Sequence, residues 1–380
     1  MEAFFVFAVA AVVTAALMPV ASRLSTRVGA IAVPSDRKVH AQPTPELGGL
    51  AMLLGVFAAF GVASRLERFD AIFDAPTVPI GVLVAATVVY LVGGIDDVRE
   101  ISAPAKTAGT VLAGSIINFA GVSILLFRFP GVGLIDLSPD WAALITVIWV
   151  VGMCQAINLI DGLDGLAAGI VGIAAFALFL FANELSDPGI AQLPADNVAP
   201  LVALATAGVC VGFLPFNVHP ASVFMGDGGA LLLGMLMAAA SIAVAGNSTA
   251  DSSSQTFFFF APLFIPLVIL GVPIFDTVFA IVRRAKNRTG VTEADKGHLH
   301  HRLMDLGHGQ RRSVAILWTW TALLSGLVLY PVYTDSDDGL LPIGIAALAL
   351  VLYTILHPRA RDERRARKEI SRGPTRNGGK

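Results

Sequence analysis

Charge is scarce in this sequence. Asp, Glu, Lys and Arg make up 14% of the 380 residues against 55% hydrophobic types, and the mean hydropathy is +0.74. A soluble domain carries about 25% charged residues, so a water-soluble globular enzyme is excluded as the reading. Cysteine is nearly absent. Cys154 and Cys210 both lie in apolar segments, form no spaced ligand pair, and read as small buried residues rather than a disulfide framework. The chain has no GxxxxGK[ST] and no GxGxxG, which removes the soluble nucleotide-binding folds. It lacks H-E-x-x-H as well, which argues against a zinc protease. No long internal repeat is visible, which counts against a repeat-built secondary transporter. Nucleic acid is not an expected partner.

What the chain has is apolar runs. Eleven are long enough to approach the roughly 30 Å of a bilayer core: 2–22, 47–64, 77–94, 107–127, 141–157, 166–183, 199–216, 230–246, 257–282, 313–332 and 340–357. The expectation is an all-α polytopic membrane protein with about eleven transmembrane helices. Residues 1–357 form the membrane domain and 358–380 a basic tail, polar and disordered, that lies against anionic lipid. The first run is preceded by no basic stretch and followed by Arg23, so it reads as a retained span and not a cleaved signal. Alternate loops then fall on opposite sides. One set (23–46, 95–106, 158–165, 217–229, 283–312 and the tail) holds 23 of the 26 Lys and Arg residues. The positive-inside rule makes that side cytoplasmic, with the amino terminus outside and the carboxyl terminus inside.

The polar motifs all sit in that basic set of loops. A charge at the bilayer centre costs roughly 2.5–3.5 kcal/mol on insertion scales, and less at the edge. "SDRKVHAQPTPELGG" brings Lys38 and His40 before a proline-rich turn; they suit an anionic lipid or phosphate, and a simple positive-inside anchor would look the same. "GGIDDVREISAPAK" sets Asp96 and Asp97 at the carboxyl end of a span. The helix dipole disfavours acids there and the two repel each other, so a bound cation explains them better than a structural use. "NLIDGLDGLAAG" spaces Asn158, Asp161 and Asp164 at i, i+3, i+6; on a helix they would share roughly one face, and otherwise they would form a turn with Asx hydrogen bonds. "NVHPASVFMGDGGALLLG" carries Asp227 just before an apolar run, where it reads as a helix N-cap or a ligand, with Phe224 nearby as core or as a stacking surface. "RRAKNRTGVTEADKGHLHHRLMDLGHGQRR" holds His298, His300, His301 and His308 in a basic loop. That suits phosphate better than zinc, although a solvated basic loop has the same composition. Acids that match Mg²⁺ and cations that match phosphate together point to metal-assisted phosphate chemistry at the cytoplasmic face.

The five motifs "DRKVHAQPTPELGGL", "GGIDDVREIS", "NLIDGLDGLAAG", "FMGDGGALLLG" and "GHLHHRL" resemble, in this order, those of the polyprenyl-phosphate N-acetylhexosamine-1-phosphate transferase family. The resemblance runs from about residue 30 to 310. It implies transfer of an amino-sugar phosphate from a UDP-sugar to a polyprenyl phosphate, with release of UMP and use of Mg²⁺ or Mn²⁺. It implies Asp227 as a metal ligand, with Asp96 and Asp97 serving the metal and the lipid phosphate, Asp97 as a second ligand. It places Asn158, Asp161, Asp164 and Phe224 around the nucleoside, Phe224 stacking on uracil. It places His298, His300 and His301 on the diphosphate and sugar, with Arg284 and Arg302 as phosphate-binding cations beside Lys38 and His40. The interrupted "HLHHRL" is similar to the UDP-GlcNAc branch, which primes cell-wall or surface polysaccharides; the muramoyl-pentapeptide branch, with three consecutive histidines, is the alternative. Partners are UDP-GlcNAc, polyprenyl phosphate and membrane lipid, and a homodimer is an assembly this reading admits. Direct attack by the lipid phosphate and a covalent route through Asp97 both remain open.

Overall fold

The structure is a computed structural model that describes residues 1–33, 42–129, 133–187, 189, 193–245, 271, 274–275, 277–278, 303–304, 308–334 and 338–356. The chain opens with α1 (Glu2–Val28), which continues past its apolar run because Arg23 and Arg27 are helix-compatible, and ends at Gly29 in the left-handed region, φ 83°. Then follow β1 (Ile31–Ala32), β2 (Thr44–Pro45), α2 (Gly48–Ala63), the short α3 (Asp70–Asp74), α4 (Thr77–Val98) and α5 (Ala103–Phe119). A hairpin of β3 (Leu126–Phe129) and β4 (Gly133–Asp136) leads into α6 (Pro139–Ile160), α7 (Leu166–Leu185), α8 (Ala199–Asn217) and α9 (Gly226–Ala245). The last two helices are α10 (Gln310–Thr334) and α11 (Leu340–Leu356).

Ten of the eleven expected apolar runs are thus helical, and 257–282 lies almost wholly outside the described residues. Seven described helices are long and apolar enough to cross a membrane, eight if the bent pair Gly48–Ala63 and Glu67–Asp74 counts as one span. The protein is a multi-pass helical membrane protein. Two features depart from the expectation of an all-helical chain. The run 107–127 is helical only as far as Phe119, because Gly121 turns the chain at φ 102° and residues 126–129 pair antiparallel with 133–136. Likewise β1 and β2 pair in the register Ile31↔Pro45 and Ala32↔Thr44, which holds the "TPELGG" segment against the end of α1; the amide of Glu46 donates to Ser25 Oγ at 3.0 Å.

The centre of the bundle is α9. Its apolar window is 94% buried, as expected for a helix that is apolar on every side. It touches α4, α6, α8, α2 and α7. In lipid, helices gain little from apolar burial against one another and instead use small residues to pack closely. Gly234 in α9 accordingly lies against the backbone of Cys154 in α6, where an added Cβ would stand 2.5 Å from the Cys154 Cα. Trp149 of α6 donates to Ser241 Oγ of α9 at 2.9 Å. One close crossing is between α4 and α9: a Cβ on Gly93 would sit 2.5 Å from both Gly228 Cα and Gly228 N. At the far end of the bundle Asn197 ties to the Ala243 carbonyl at 2.8 Å, and Tyr333 of α10 to the Leu180 carbonyl at 2.9 Å.

That crossing generates a prediction. Gly93→Ala forces the backbones of α4 and α9 apart, an overpacking that costs about 1–3 kcal/mol. Gly152→Ala in α6, with nothing within 4 Å of its added methyl, is the control. The expected result is a lower melting temperature in detergent for Gly93→Ala alone; equal melting of both variants would show that this contact does not limit packing.

Candidate active site

The polar motifs converge at one end of the bundle, and backbone pairing is the first cause. The Phe224 amide donates to the Pro45 carbonyl at 2.8 Å, Gly48 donates to the Phe224 carbonyl at 2.9 Å, and Gly49 donates to the Met225 carbonyl at 3.0 Å. The "TPELGG" and "FMGDGG" segments therefore form one ribbon at the starts of α2 and α9. Phe224 is half-buried in this ribbon.

Asp97 meets the ribbon from the end of α4. Its Oδ1 accepts the Asp227 amide at 2.7 Å and its Oδ2 accepts the Gly228 amide at 3.1 Å. The sequence favoured a bound cation over a structural use for these acids, and for Asp97 the structure shows a structural use. The dipole of its own helix disfavours it, but it faces the amino terminus of α9, where free N–H groups favour a negative charge. Asp227 makes no cap hydrogen bond of its own; its Oδ2 instead pairs with the Lys106 ammonium.

Lys106 also pairs with Asp96 Oδ2, so one ammonium lies between two carboxylates from different motifs. Asp96 Oδ1 accepts the Ile101 amide at 2.7 Å and thereby shapes the turn into α5. Sequence reasoning quoted Lys106 within its motif without assigning it a role. The available signal was a lone lysine in the first turn of a helix, four residues after the N-cap position Ser102.

The "NLIDGLDG" segment does not form one helical face. Helix α6 ends at Ile160, and Asp161 to Gly165 make a turn, so Asn158 sits on the last helical turn while Asp161 and Asp164 leave it. Asp164 Oδ2 is 2.7 Å from His219 Nδ1 and accepts the Ala221 amide at 3.2 Å. Asn217, buried at the end of α8, accepts the Gly165 amide at 2.9 Å and donates to the Val223 carbonyl at 3.0 Å. It links the third motif to the fourth. Trp318 of α10 donates to the Gly165 carbonyl at 3.2 Å, and Arg311 to the His219 carbonyl at 3.0 Å. Asn217 and His219 were not foreseen; both lie in the quoted "NVHP", but only tertiary packing shows what they join.

Asp161 accepts no hydrogen bond and forms no ion pair among the described residues. Burial pushes its carboxyl up to about 7, and the charges of Asp227, Asp164 and Glu46 add to that. Five aspartates from three motifs thus share a site in which the Lys106 ammonium pairs with two of them, the His219 imidazole lies against Asp164, and Arg311 holds the His219 carbonyl. The fit to a divalent cation can be tested on this geometry. Asp96 and Asp227 already converge on one ammonium, so a cation fits between them, and the donors are hard oxygens, as Mg²⁺ requires. No three ligating side chains gather closely enough among the described residues to hold an ion alone; one or two carboxylates completed by water and substrate phosphate is the usual arrangement for Mg²⁺. His308 lies apart, buried, with Nε2 2.9 Å from the Thr354 carbonyl of α11. Lys38, His40, Arg284, His298, His300, His301 and Arg302 lie outside the described residues.

Residues 79–245, which include all five aspartates, match the family described as Glycosyl transferase family 4. A decaprenyl-phosphate N-acetylglucosaminephosphotransferase of Mycolicibacterium smegmatis is 36% identical over 341 residues, 88% of this chain and 83% of the relative. The chain belongs to the polyprenyl-phosphate N-acetylhexosamine-1-phosphate transferases. A probable undecaprenyl-phosphate N-acetylglucosaminyl 1-phosphate transferase of Bacillus subtilis is 36% identical to this transferase over 80% of the chain and 77% of the relative. A phospho-N-acetylmuramoyl-pentapeptide-transferase of M. smegmatis is 31% identical over 75% and 82%. The branch of the family expected from the sequence is the one its more similar relatives carry.

The raised pKa of Asp161 gives a prediction with a definite sign. An unfolded aspartate ionises near pH 4, so between about pH 4 and 7 folding takes up a proton at this position. That contribution favours the folded state in acid and is lost as the pH rises through about 7. Asp161→Asn, which cannot ionise, is expected to raise the melting temperature of the metal-free protein in detergent at pH 8 and to leave it near wild type at pH 5. An equal effect at both pH values would exclude charge as the cause.

Proposed function

We propose that this protein transfers GlcNAc-1-phosphate from UDP-GlcNAc to a polyprenyl phosphate, forming polyprenyl-diphospho-GlcNAc and UMP, as the first membrane step of cell-wall or surface polysaccharide synthesis. The observation that carries the reading is the gathering of Asp96, Asp97, Asp161, Asp164 and Asp227 at one end of the bundle in a chain whose relatives are named for this transfer. By sequence, the set of loops that contains these motifs holds 23 of the 26 Lys and Arg residues, which supports a cytoplasmic active site, an external amino terminus, a cytoplasmic carboxyl terminus and eleven spans. All five aspartates come from one chain, so the chemistry needs no second copy, though a homodimer is compatible with it.

Mg²⁺, or Mn²⁺ in its place, would be held by Asp227 with a neighbouring carboxylate, and would supply charge neutralisation on the diphosphate and the departing UMP. A phosphate monoester has a second pKa of about 6. The lipid phosphate is therefore mostly dianionic at neutral pH and attacks the β-phosphorus without a protein base. The work left to the chain is to hold charge in fixed positions. Lys106 keeps Asp96 and Asp227 side by side, while Asn217 and His219 hold the Asp161–Gly165 turn beside the ribbon that presents Phe224. We assign the nucleoside to that turn and to Phe224, and the diphosphate and sugar to His298, His300, His301, Arg284 and Arg302. Lys38 and His40 belong to the acceptor phosphate.

The test is the purified full chain in detergent with polyprenyl phosphate and radiolabelled UDP-GlcNAc or UDP-N-acetylmuramoyl-pentapeptide. The expected result is label in the lipid fraction from UDP-GlcNAc and negligible transfer from the muramoyl nucleotide. A preference for the muramoyl nucleotide would move the protein to the other branch of its family.

A metal prediction goes with it. Asp227→Asn keeps the side chain's shape and removes its charge, and is expected to lower turnover by at least about 100-fold, comparable to losing one preorganised electrostatic contact. Folded yield should stay near wild type, because the start of α9 is capped by Asp97 and not by Asp227. Unchanged turnover at ordinary Mg²⁺ would remove Asp227 from the metal site.

A further inference from the structure

A feature of the site that the transfer reaction does not itself explain is where the Asp97 carboxylate points. Both of its oxygens are engaged by backbone amides of the first turn of α9, Asp227 at 2.7 Å and Gly228 at 3.1 Å. Helix α9 starts at Gly226, which sits at φ 69° and has no side chain, and the position before it is the apolar Met225. A Cβ at Gly226 would stand 2.4 Å from Asp97 Oδ2 and 2.2 Å from the Glu46 carbonyl. The loop is thus shaped around the incoming carboxylate. The Gly93–Gly228 crossing, one turn before Asp97 along α4, brings the two backbones close enough for that reach.

We propose that Asp97 is a positioning residue, an N-cap supplied to α9 by α4, which fixes the first turn of α9 so that Asp227 faces Asp96 and Lys106; it is neither a nucleophile nor a metal ligand. A nucleophilic carboxylate needs an oxygen aimed at phosphorus, and this one would first have to release two helix amides with no other side chain to take them. Because Asp227 is itself one of the capped residues, the cap sets the direction of its side chain. Moving the end of α4 therefore moves Asp227. This inference rests on the transferase reading for its kinetic arm only; its metal-binding arm stands without it.

The experiment compares full-length wild type, Asp97→Asn, Asp97→Ala, Gly226→Ala and Asp227→Asn in detergent. Three quantities are measured: Mn²⁺ affinity without substrates by electron paramagnetic resonance of the free ion, turnover with polyprenyl phosphate, and UMP released from UDP-GlcNAc without lipid. Asn keeps one acceptor oxygen for one of the two amides and loses the second bond and the charge, so Asp97→Asn is expected to lower turnover about 10-fold, less than Asp97→Ala does. Asp97→Ala should lose about 100-fold, the scale of a small misplacement of a reacting constellation, and Gly226→Ala should resemble it. Mn²⁺ affinity should fall in the same order, least for Asp97→Asn and most for Asp227→Asn, and no variant should release UMP without lipid. If Asp97→Ala does not fold, Asp97→Asn against Gly226→Ala carries the same contrast. Loss of Mn²⁺ affinity in Asp97→Asn equal to that in Asp227→Asn would make Asp97 a ligand. A lipid-free burst of about one UMP per enzyme, abolished by Asp97→Asn, would make it the nucleophile. Either result overturns the proposal. A wild type that transfers no sugar phosphate would instead sink the transferase reading, and the order of Mn²⁺ affinities would still decide the role of Asp97.

Discussion

The site depends on how closely α4 and α9 approach each other. Where Gly93 meets Gly228 there is no room for a single methyl group, and this contact sets the position of everything that follows it on both helices. One turn later, in the last turn of α4, come Asp96 and Asp97, and one residue before Gly228, in the first turn of α9, is Asp227. Had either helix carried alanine at the crossing, the carboxylates would stand farther apart. Close backbone approach through small residues is the ordinary means of packing helices in lipid. Here the same contact that holds the bundle together also brings acids from two motifs, 130 residues apart in sequence, into one cluster.

Helix ends explain why acids tolerate this crowding. An acid at the carboxyl end of its own helix is disfavoured by the dipole, but each of these acids meets the start of another helix or turn. Asp97 accepts amides at the start of α9, Asp96 accepts the Ile101 amide just before α5, and Asp164 accepts the Ala221 amide in the loop ahead of α9. The N–H groups that a helix start leaves unsatisfied are thus used to hold negative charge. What they do not neutralise is the net excess, which adds to the burial that raises Asp161 to about 7 and which Lys106 offsets only between Asp96 and Asp227. A site with that residual charge binds a cation more readily than an anion, and a diphosphate enters it most favourably together with one.

Hydropathy and motif order made much of this legible. Apolar run length located ten helices, because in lipid every backbone group must be satisfied within its own segment. The clustering of polar motifs on alternate loops implied that they meet at one end. Other features were not legible, and several depend on a partner far away in sequence. The structural use of Asp97 requires α9, and from α4 alone the acid looks only costly. The Asn158, Asp161 and Asp164 spacing left a shared helical face and an Asx turn both open, and the structure shows a turn, with Gly165 at φ 77°. Lys106, Asn217 and His219 were quoted within motifs and given no role, since a single lysine, amide or imidazole carries no pattern until its neighbours are known. The hairpins at β1–β2 and β3–β4 are too short for an alternation of polar and apolar residues to stand out.

The position of the cluster also follows from the two substrates assigned to it. A nucleotide sugar is too polar to enter hydrocarbon, and a polyprenyl chain is too apolar to leave it. The two reacting phosphates therefore meet only near the plane where helices end. Carrying the carboxylates to mid-bilayer would cost roughly 2.5–3.5 kcal/mol for each charge, and Lys106 pairs with only two of them. At the bundle's end, amides of α9 and the turn after α6 do part of what water would otherwise do for the acids. The same fixed amides and carboxylates then need no rearrangement when charge develops on the leaving phosphate, which is the condition under which electrostatic stabilisation is most effective. A site at the helix ends is thus the one place in this fold where the acids are affordable, both substrates can reach, and the charges are already oriented.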